Sequence, residues 1–483
     1  MFQRLRALAA LSVLVPPTLA ACGDLNGTTA PTPLSPDSVG LHIVAGKTGT
    51  DTISTQFAQA LLVELRDDRG QPMADHVIRF ATQPVEVGPY SSLFGAYLSP
   101  VDRNDLRTFV SDTTDARGRA RVLVTLGSRA GPALVVVTDP DHGTADTATF
   151  TVQPGAPAAL SAGPADTTIA VGASFTVRAT VIDRAGNKRS DAVTYAAVGS
   201  ALSVSGTTVS GSAVGVGQVI ATAGKVADTV SVSVPPTGVL AAFTPRGLAT
   251  FNTDGSGFTA LTTTLTYGTV TAWSPAGTEL AFDRPYSQPF QITNLTGGVR
   301  TGPTFARYSL YPEYSRDGQW IYYTRYAYRL ARVHPDGTGD TLVTMLSPSY
   351  DQSPSPSPDG TKLVYARGYY PDQLWMLDLA SGQSTDLRVP GAYPAWSPSG
   401  SLIAFLATSD GNRVKVVSPD GTGVRTVGDA TSDYSLQIDW SADGQWIVAR
   451  NSRRNRLEII NATSGQAIPL TYSPSYLGPS WKP

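Results

Sequence analysis

Seven residues of the C-terminal half share a register that suits recognition chemistry. Tyr267, Tyr308, Tyr350 and Tyr434 each stand six positions before a recurring aromatic or proline, and Arg284, Arg325 and Arg367 each stand eleven positions after one. Tyr311, Tyr393 and Tyr476 fall in the same segments. Tyrosine offers a flat apolar ring with a polar tip, and arginine a fork that matches a carboxylate. Both types are enriched where proteins bind one another. If the segments before and after the marker positions are loops on one face, the seven residues form a tyrosine ring around an opening, with arginines beside it. The alternative is architectural: tyrosines wedged between elements and arginines paired with acids of neighbouring loops.

Residues for catalysis are harder to find. The four histidines, His42, His76, His142 and His334, are far apart in sequence. There is no Gly-x-Ser-x-Gly elbow, no pair of histidines at metal spacing and no phosphate-cradling loop. Asp139-Pro140-Asp141-His142 could hold a calcium ion or be a solvated turn. No catalytic constellation and no cofactor are expected, so the chain does not read as an enzyme. Formal net charge is -2, from 36 basic and 38 acidic residues. Such a balance gives no field to steer nucleic acid.

The marker positions are Trp273, Tyr314, Pro356, Trp396, Trp440 and Trp481, spaced by about 40 to 44 residues, the period of one four-stranded propeller blade. Most sit in a phrase such as Trp273-Ser-Pro-Ala-Gly277, Trp396-Ser-Pro-Ser-Gly400 or Trp440-Ser-Ala-Asp-Gly444. Pro, Asp and Gly there set a turn, so Asp317, Asp359 and Asp443 read as structural. An apolar strand follows each turn, as in Leu402-Ile-Ala-Phe405. Val239-Leu240-Ala241-Ala242-Phe243 matches that second strand but has no first strand before it. The segment ending at Trp481 supplies one, which predicts six blades closed into a ring without an open edge.

These phrases resemble the TolB-type propeller repeat, a WD40-like repeat of bacterial envelope proteins, over roughly residues 238–483. The third copy departs from it with Pro356 in place of Trp, and the second has Arg316 in place of Pro. The resemblance implies a six-bladed β-propeller with a protein- or ligand-binding role, and no reaction.

The N-terminus points to a compartment. Arg4 and Arg6 precede an apolar run too short to span a bilayer, then Leu19-Ala20-Ala21-Cys22 resembles a bacterial lipobox. Residues 1–21 then read as a lipoprotein signal peptide, and Cys22, the single cysteine, as the lipidation site. Gly23 after it favours the outer membrane. Residues 22–38 carry no apolar pattern and read as a disordered tether.

Residues 39–153 and 157–234 carry short alternating strands with a turn every few residues, the pattern of β-sandwiches. The first resembles bacterial Ig-like domains of the invasin and intimin type, with residues 88–110 as an irregular insertion loop. The second resembles another bacterial Ig-like class. The whole reads as an all-β chain: two Ig-like sandwiches, then the propeller. The function expected is a lipid-anchored envelope scaffold whose propeller captures a peptide or protein partner. A carbohydrate-binding or carbohydrate-cleaving propeller, with a glycan partner, and a purely structural surface protein are the alternatives.

Overall fold

The computed structural model describes residues 39–483 except 87–91, 263–269, 284–288, 302–308, 326–327, 345–349, 369–371, 432–436 and 474. Among the described residues the elements are strands and one short 3-10 turn, Thr408–Asp410. None of the helices among them is long and apolar enough to cross a membrane. Two compact units divide the chain, Met1–Pro154 and Gly155–Pro483.

The first unit is a sandwich. A four-stranded sheet containing Gly40–Ala45, Leu61–Arg66, Arg119–Leu126 and Ala96–Ser99 faces a five-stranded sheet built around Gly131–Asp139 and Thr144–Gln153. Alternation along each strand puts Leu61, Val63 and Leu65 of one sheet against Phe80, Val135 and Val137 of the other in a single core. One expectation is corrected here. Residues 88–110, read as an irregular loop, contain the strands Ser92–Phe94 and Ala96–Ser99. Ala96 and Leu98 are buried in the core, and Ala96–Ser99 pairs with Arg119–Leu126.

The second unit opens with three small sheets, in which the antiparallel pair Gly215–Ala223 and Val226–Val234 supplies Val219, Val230, Val232 and Val234 to the core. Thr168 and Thr471 join this part to the rest through their hydroxyls at 2.9 Å.

The remainder consists of six four-stranded antiparallel sheets among the described residues. The innermost strands are Thr271–Trp273, Ser309–Tyr314, Asp351–Pro356, Ala392–Trp396, Ile438–Trp440 and Leu477–Trp481. Each contacts the next, and Leu477–Trp481 contacts both Ile438–Trp440 and Thr271–Trp273, so the strands close into a ring. Leu477–Trp481 pairs with Val239–Thr244, with Leu240 opposite Trp481, and the chain's last strand completes the sheet its earlier segment begins. Trp481 is 5% exposed, and losing a tryptophan from such a core costs about 3–5 kcal/mol. The closure is stitched by polar groups as well. The Gln437 side chain pairs with both the backbone N–H and the carbonyl of Thr271, and the Thr271 hydroxyl bonds Ser480 at 2.7 Å.

The turn after each inner strand shows why its residue types recur. In Ser315-Arg316-Asp317-Gly318, Asp317 accepts from the Ser315 hydroxyl at 2.6 Å and from the Gln319 N–H at 3.0 Å. The Ser315 hydroxyl oxygen accepts from the Trp320 N–H at 2.9 Å, and Gly318 takes φ 71°. The hydroxyl and the backbone N–H together hold the Asp317 carboxyl below its usual range.

Candidate functional site

The ring leaves a channel along its inner strands, and the backbone at one end is unusual. Tyr311, Ser353, Tyr393 and Gly478 occupy equivalent positions, three before the marker residue, with φ of 54°, 51°, 54° and 55°. Each is followed by proline, and each strand slips register there. Positive φ at a non-glycine residue costs of order 1 kcal/mol or more and persists where the surroundings enforce it, often at functional sites. The bulge re-aims side chains. Tyr311 and Tyr393 come from the second and fourth inner strands and reach past the small Ser353 between them, their rings 5.6 Å apart at 66°. Burial, opposed in part by a hydrogen bond with Tyr393, pushes the Tyr311 hydroxyl up to about 12.

Below these rings lies a row of residues one position before each marker: Ala272, Glu313, Ser355, Ala395, Asp439 and Ser480. Four are small. The two carboxylates belong to the second and fifth strands of the ring and so stand on opposite sides of it. Both line a cavity of about 50 Å³ on the tyrosine side and another of about 110 Å³ on the side of the tryptophans, so they mark the waist of the channel. Asp439 accepts from the backbone N–H groups of Trp440 and Trp481, each at 2.7 Å. Glu313 has no hydrogen bond or counter-charge among the described residues; burial and the Asp439 charge raise its pKa well above the usual carboxyl range. Burial likewise raises Asp439, to about 7, against the two backbone bonds. The side chains keep partial contact with the channel, yet protein surrounds them, and a narrow channel solvates charge poorly.

The residues singled out from the sequence divide as follows. Tyr350 is 42% exposed, and its ring lies 5.0 Å from Tyr328. Arg325 and Arg367 lie at strand ends beside the start of an inner strand, on the side where Tyr350 enters. Neither is left open to a ligand. Arg367 makes a two-pronged pair with Asp351, at 2.6 and 3.2 Å, and lies 4.3 Å over the Trp375 ring. Arg325 meets Asp340 at 3.4 Å. Tyr267, Tyr308, Tyr434, Arg284 and Cys22 lie outside the described residues. Tyr476 packs edge-on against Phe251.

Two of the histidines meet in the first unit. His76 and His142, far apart in sequence, bring their rings to 5.4 Å. His142 bonds the buried Asp139 at 2.7 Å, and Asp141 lies 3.8 Å from His76. Among the described residues no group of three His, Cys, Asp or Glu side chains is arranged to hold a metal ion.

No family model matches the chain. A TolB homolog of Chlorobium luteolum is 32% identical over 138 residues, 27% of this chain and 31% of that protein. The uncharacterized peptidase YuxL of Bacillus subtilis is 26% identical over 123 residues, 23% of this chain and 18% of that protein. The chain thus spans less than a third of either relative. Among solved structures, TolB from Acinetobacter baumannii has a TM-score of 0.42 at 16% identity, over 56% of this chain and 80% of that one. An oligogalacturonate lyase in complex with manganese has a TM-score of 0.34 at 19% identity, over 49% and 73%.

Proposed function

We propose that the protein is a lipid-anchored scaffold of the bacterial envelope, a six-bladed TolB-type propeller over residues 238–483 carried on Ig-like sandwiches at 39–153 and 157–234. The propeller captures a peptide or protein partner at the channel mouth framed by Tyr311, Tyr393, Tyr350 and Tyr328. Cys22 carries the lipid, residues 22–38 tether the folded part, and the outer membrane is the site of anchoring.

One observation carries the binding reading: tyrosines held in strained backbone at a channel mouth, above carboxylates that no cation among the described residues neutralises. Such aromatics give a partner large contact area at small entropy loss. The stretch of identity with a TolB homolog supports the envelope reading. Two of the three arginines expected at this face, Arg367 and Arg325, pair with Asp351 and Asp340.

Photocrosslinking tests the proposal. A crosslinking residue in place of Tyr350 should give a discrete partner adduct in intact envelopes, and one in place of Val101, exposed on the first sandwich, should not. Equal adducts from both positions, or none from Tyr350, reject the capture face. Replacing Cys22 with Ser should release the protein from membranes; retention after carbonate washing rejects the anchor.

A further inference from the structure

We infer that the channel waist between Glu313 and Asp439 binds one primary ammonium group, that of a lysine side chain inserted through the tyrosine mouth. The inference rests on the capture reading for the source of that lysine, and on the channel for its chemistry.

Four observations converge. Two carboxylates face the same cavity from opposite strands, and Glu313 has no partner among the described residues. Ser353 lines that cavity too; it is 6% exposed, and its hydroxyl has no hydrogen-bond partner among the described residues. A buried, unpartnered polar atom calls for an explanation, and a donor entering the cavity supplies one. Tyr311 and Tyr393 stand above, aromatic faces suited to a cation and its methylene stem. The cavity, about 50 Å³, exceeds the roughly 10–15 Å³ that one water needs by the same measure, so it has room for an ammonium head.

An ammonium fits this set. It has three donors, and Glu313, Asp439 and Ser353 offer three acceptors. A planar guanidinium is larger and forked. Calcium takes roughly six to eight oxygens, and only two carboxylates line this cavity. No Lys or Arg is among the described residues that line the cavity, and Arg325 and Arg367 at the rim are paired with Asp340 and Asp351. Exposed Arg316 lines the opposite compartment, and Lys482 lies 5.5 Å from the Trp273 ring. The Tyr311 hydroxyl, pushed up to about 12, stays neutral at ordinary pH, and the Asp283 and Asp372 charges that act on it add to the negative field. The carboxylates must be ionised to hold the cation, so binding should strengthen as pH rises through the region near 7 where Asp439 titrates.

The test titrates the full chain with n-butylammonium chloride at pH 8 and at pH 6, at constant ionic strength, by calorimetry. Calcium chloride and n-butylguanidinium chloride serve as competitors. Binding of n-butylammonium at pH 8, weakened about tenfold or more in Glu313→Gln and at pH 6, is the expected result. Asp439→Asn should weaken it similarly; because Asp439 also holds the Trp481 N–H, Glu313→Gln, which breaks no hydrogen bond, is the deciding variant. Absence of n-butylammonium binding, unchanged binding in Glu313→Gln, or preferential binding of calcium or the guanidinium overturns the assignment. The Tyr350 crosslink, repeated in Glu313→Gln, separates the two readings. An undiminished partner adduct there removes lysine insertion and leaves the capture face standing. Carboxylate-dependent n-butylammonium binding without any adduct supports the ammonium pocket and removes the capture reading.

Discussion

Arg367 and Glu313 belong to neighbouring sheets of one ring and meet opposite treatment. Arg367, at the rim, has its counter-charge at 2.6 Å, a second prong at 3.2 Å and a tryptophan face beneath it. Glu313, at the waist, has no cation beside it among the described residues, and the charge opposite it has the same sign. Burial works against both charged forms. At the rim the bond to Asp351 and nearby negative charge outweigh it, and the Arg367 pKa is raised; at the waist nothing opposes it, and the carboxyl pKa is raised. The rim charges therefore serve the fold, and the waist charges are held at the fold's expense. Carboxyls whose pKa is raised this way in a channel are candidates for work on whatever enters it.

The most damaging way to break this comparison is to remove the acid at the rim. Asp351 is 1% exposed, so Asp351→Ala strands the Arg367 guanidinium between Tyr365 and Trp375 without a partner. Breaking a buried pair costs about 3–5 kcal/mol, and the partial exposure of Arg367 argues for about 3. Calorimetric melting should show the transition of the 155–483 unit falling while that of the first unit holds. An unmoved transition would mean the rim pair contributes nothing and the contrast with the waist is false.

Glu313→Gln should act in the other direction. The folded-state pKa values of Glu313 and Asp439 lie above those of the unfolded chain, so between the two the folded state holds more protons. Stability from this pair is complete below the unfolded values near 4, and is lost as pH rises toward the folded value of Asp439, about 7. Glutamine removes one of the opposed charges. The variant should therefore be more stable than the parent at pH 8, by about 1 kcal/mol, and no more stable at pH 4. Denaturant titrations at both pH values check this, and a loss of stability at pH 8 contradicts an uncompensated Glu313.

Much of the ring is legible in the sequence, for a local reason. The Ser-x-Asp-Gly turns and the apolar strands after them are short-range features, and each hairpin writes its own signature. Closure is legible because Val239–Thr244 lacks a first strand and Leu477–Trp481 supplies one. The site is legible only in part. Tyr311 and Tyr393 show in the sequence only as neighbours of the tyrosine register, and Glu313 and Asp439 look like ordinary polar residues of alternating strands. Only a closed ring tells that this position faces a channel; the usable signal was an acid at a register otherwise filled by Ala and Ser. His76 and His142 meet because Val77–Thr82 pairs with Gly131–Asp139, a long-range register invisible to spacing. Ala96–Ser99 is hard to see in the sequence because Gly95 and Pro100 bracket a strand of only four residues.

Arg325→Ala is the mildest probe and sharpens the comparison within the rim itself. Arg325 meets Asp340 at 3.4 Å by a single contact and keeps 29% of its side chain exposed. Asp340 has a second partner, the Tyr323 hydroxyl at 2.5 Å, so losing the arginine does not orphan the acid. Exposed pairs of this kind contribute about 0–1 kcal/mol, and about 0.5 is expected here. Added salt should screen what remains, so the difference between Arg325→Ala and the parent should shrink toward zero at high ionic strength. Asp351→Ala should keep most of its penalty under the same conditions, because the pair it breaks is largely shielded from water. If salt erased both penalties equally, burial at Asp351 would not be what separates the two rim pairs, and the argument from desolvation would fail at the waist as well.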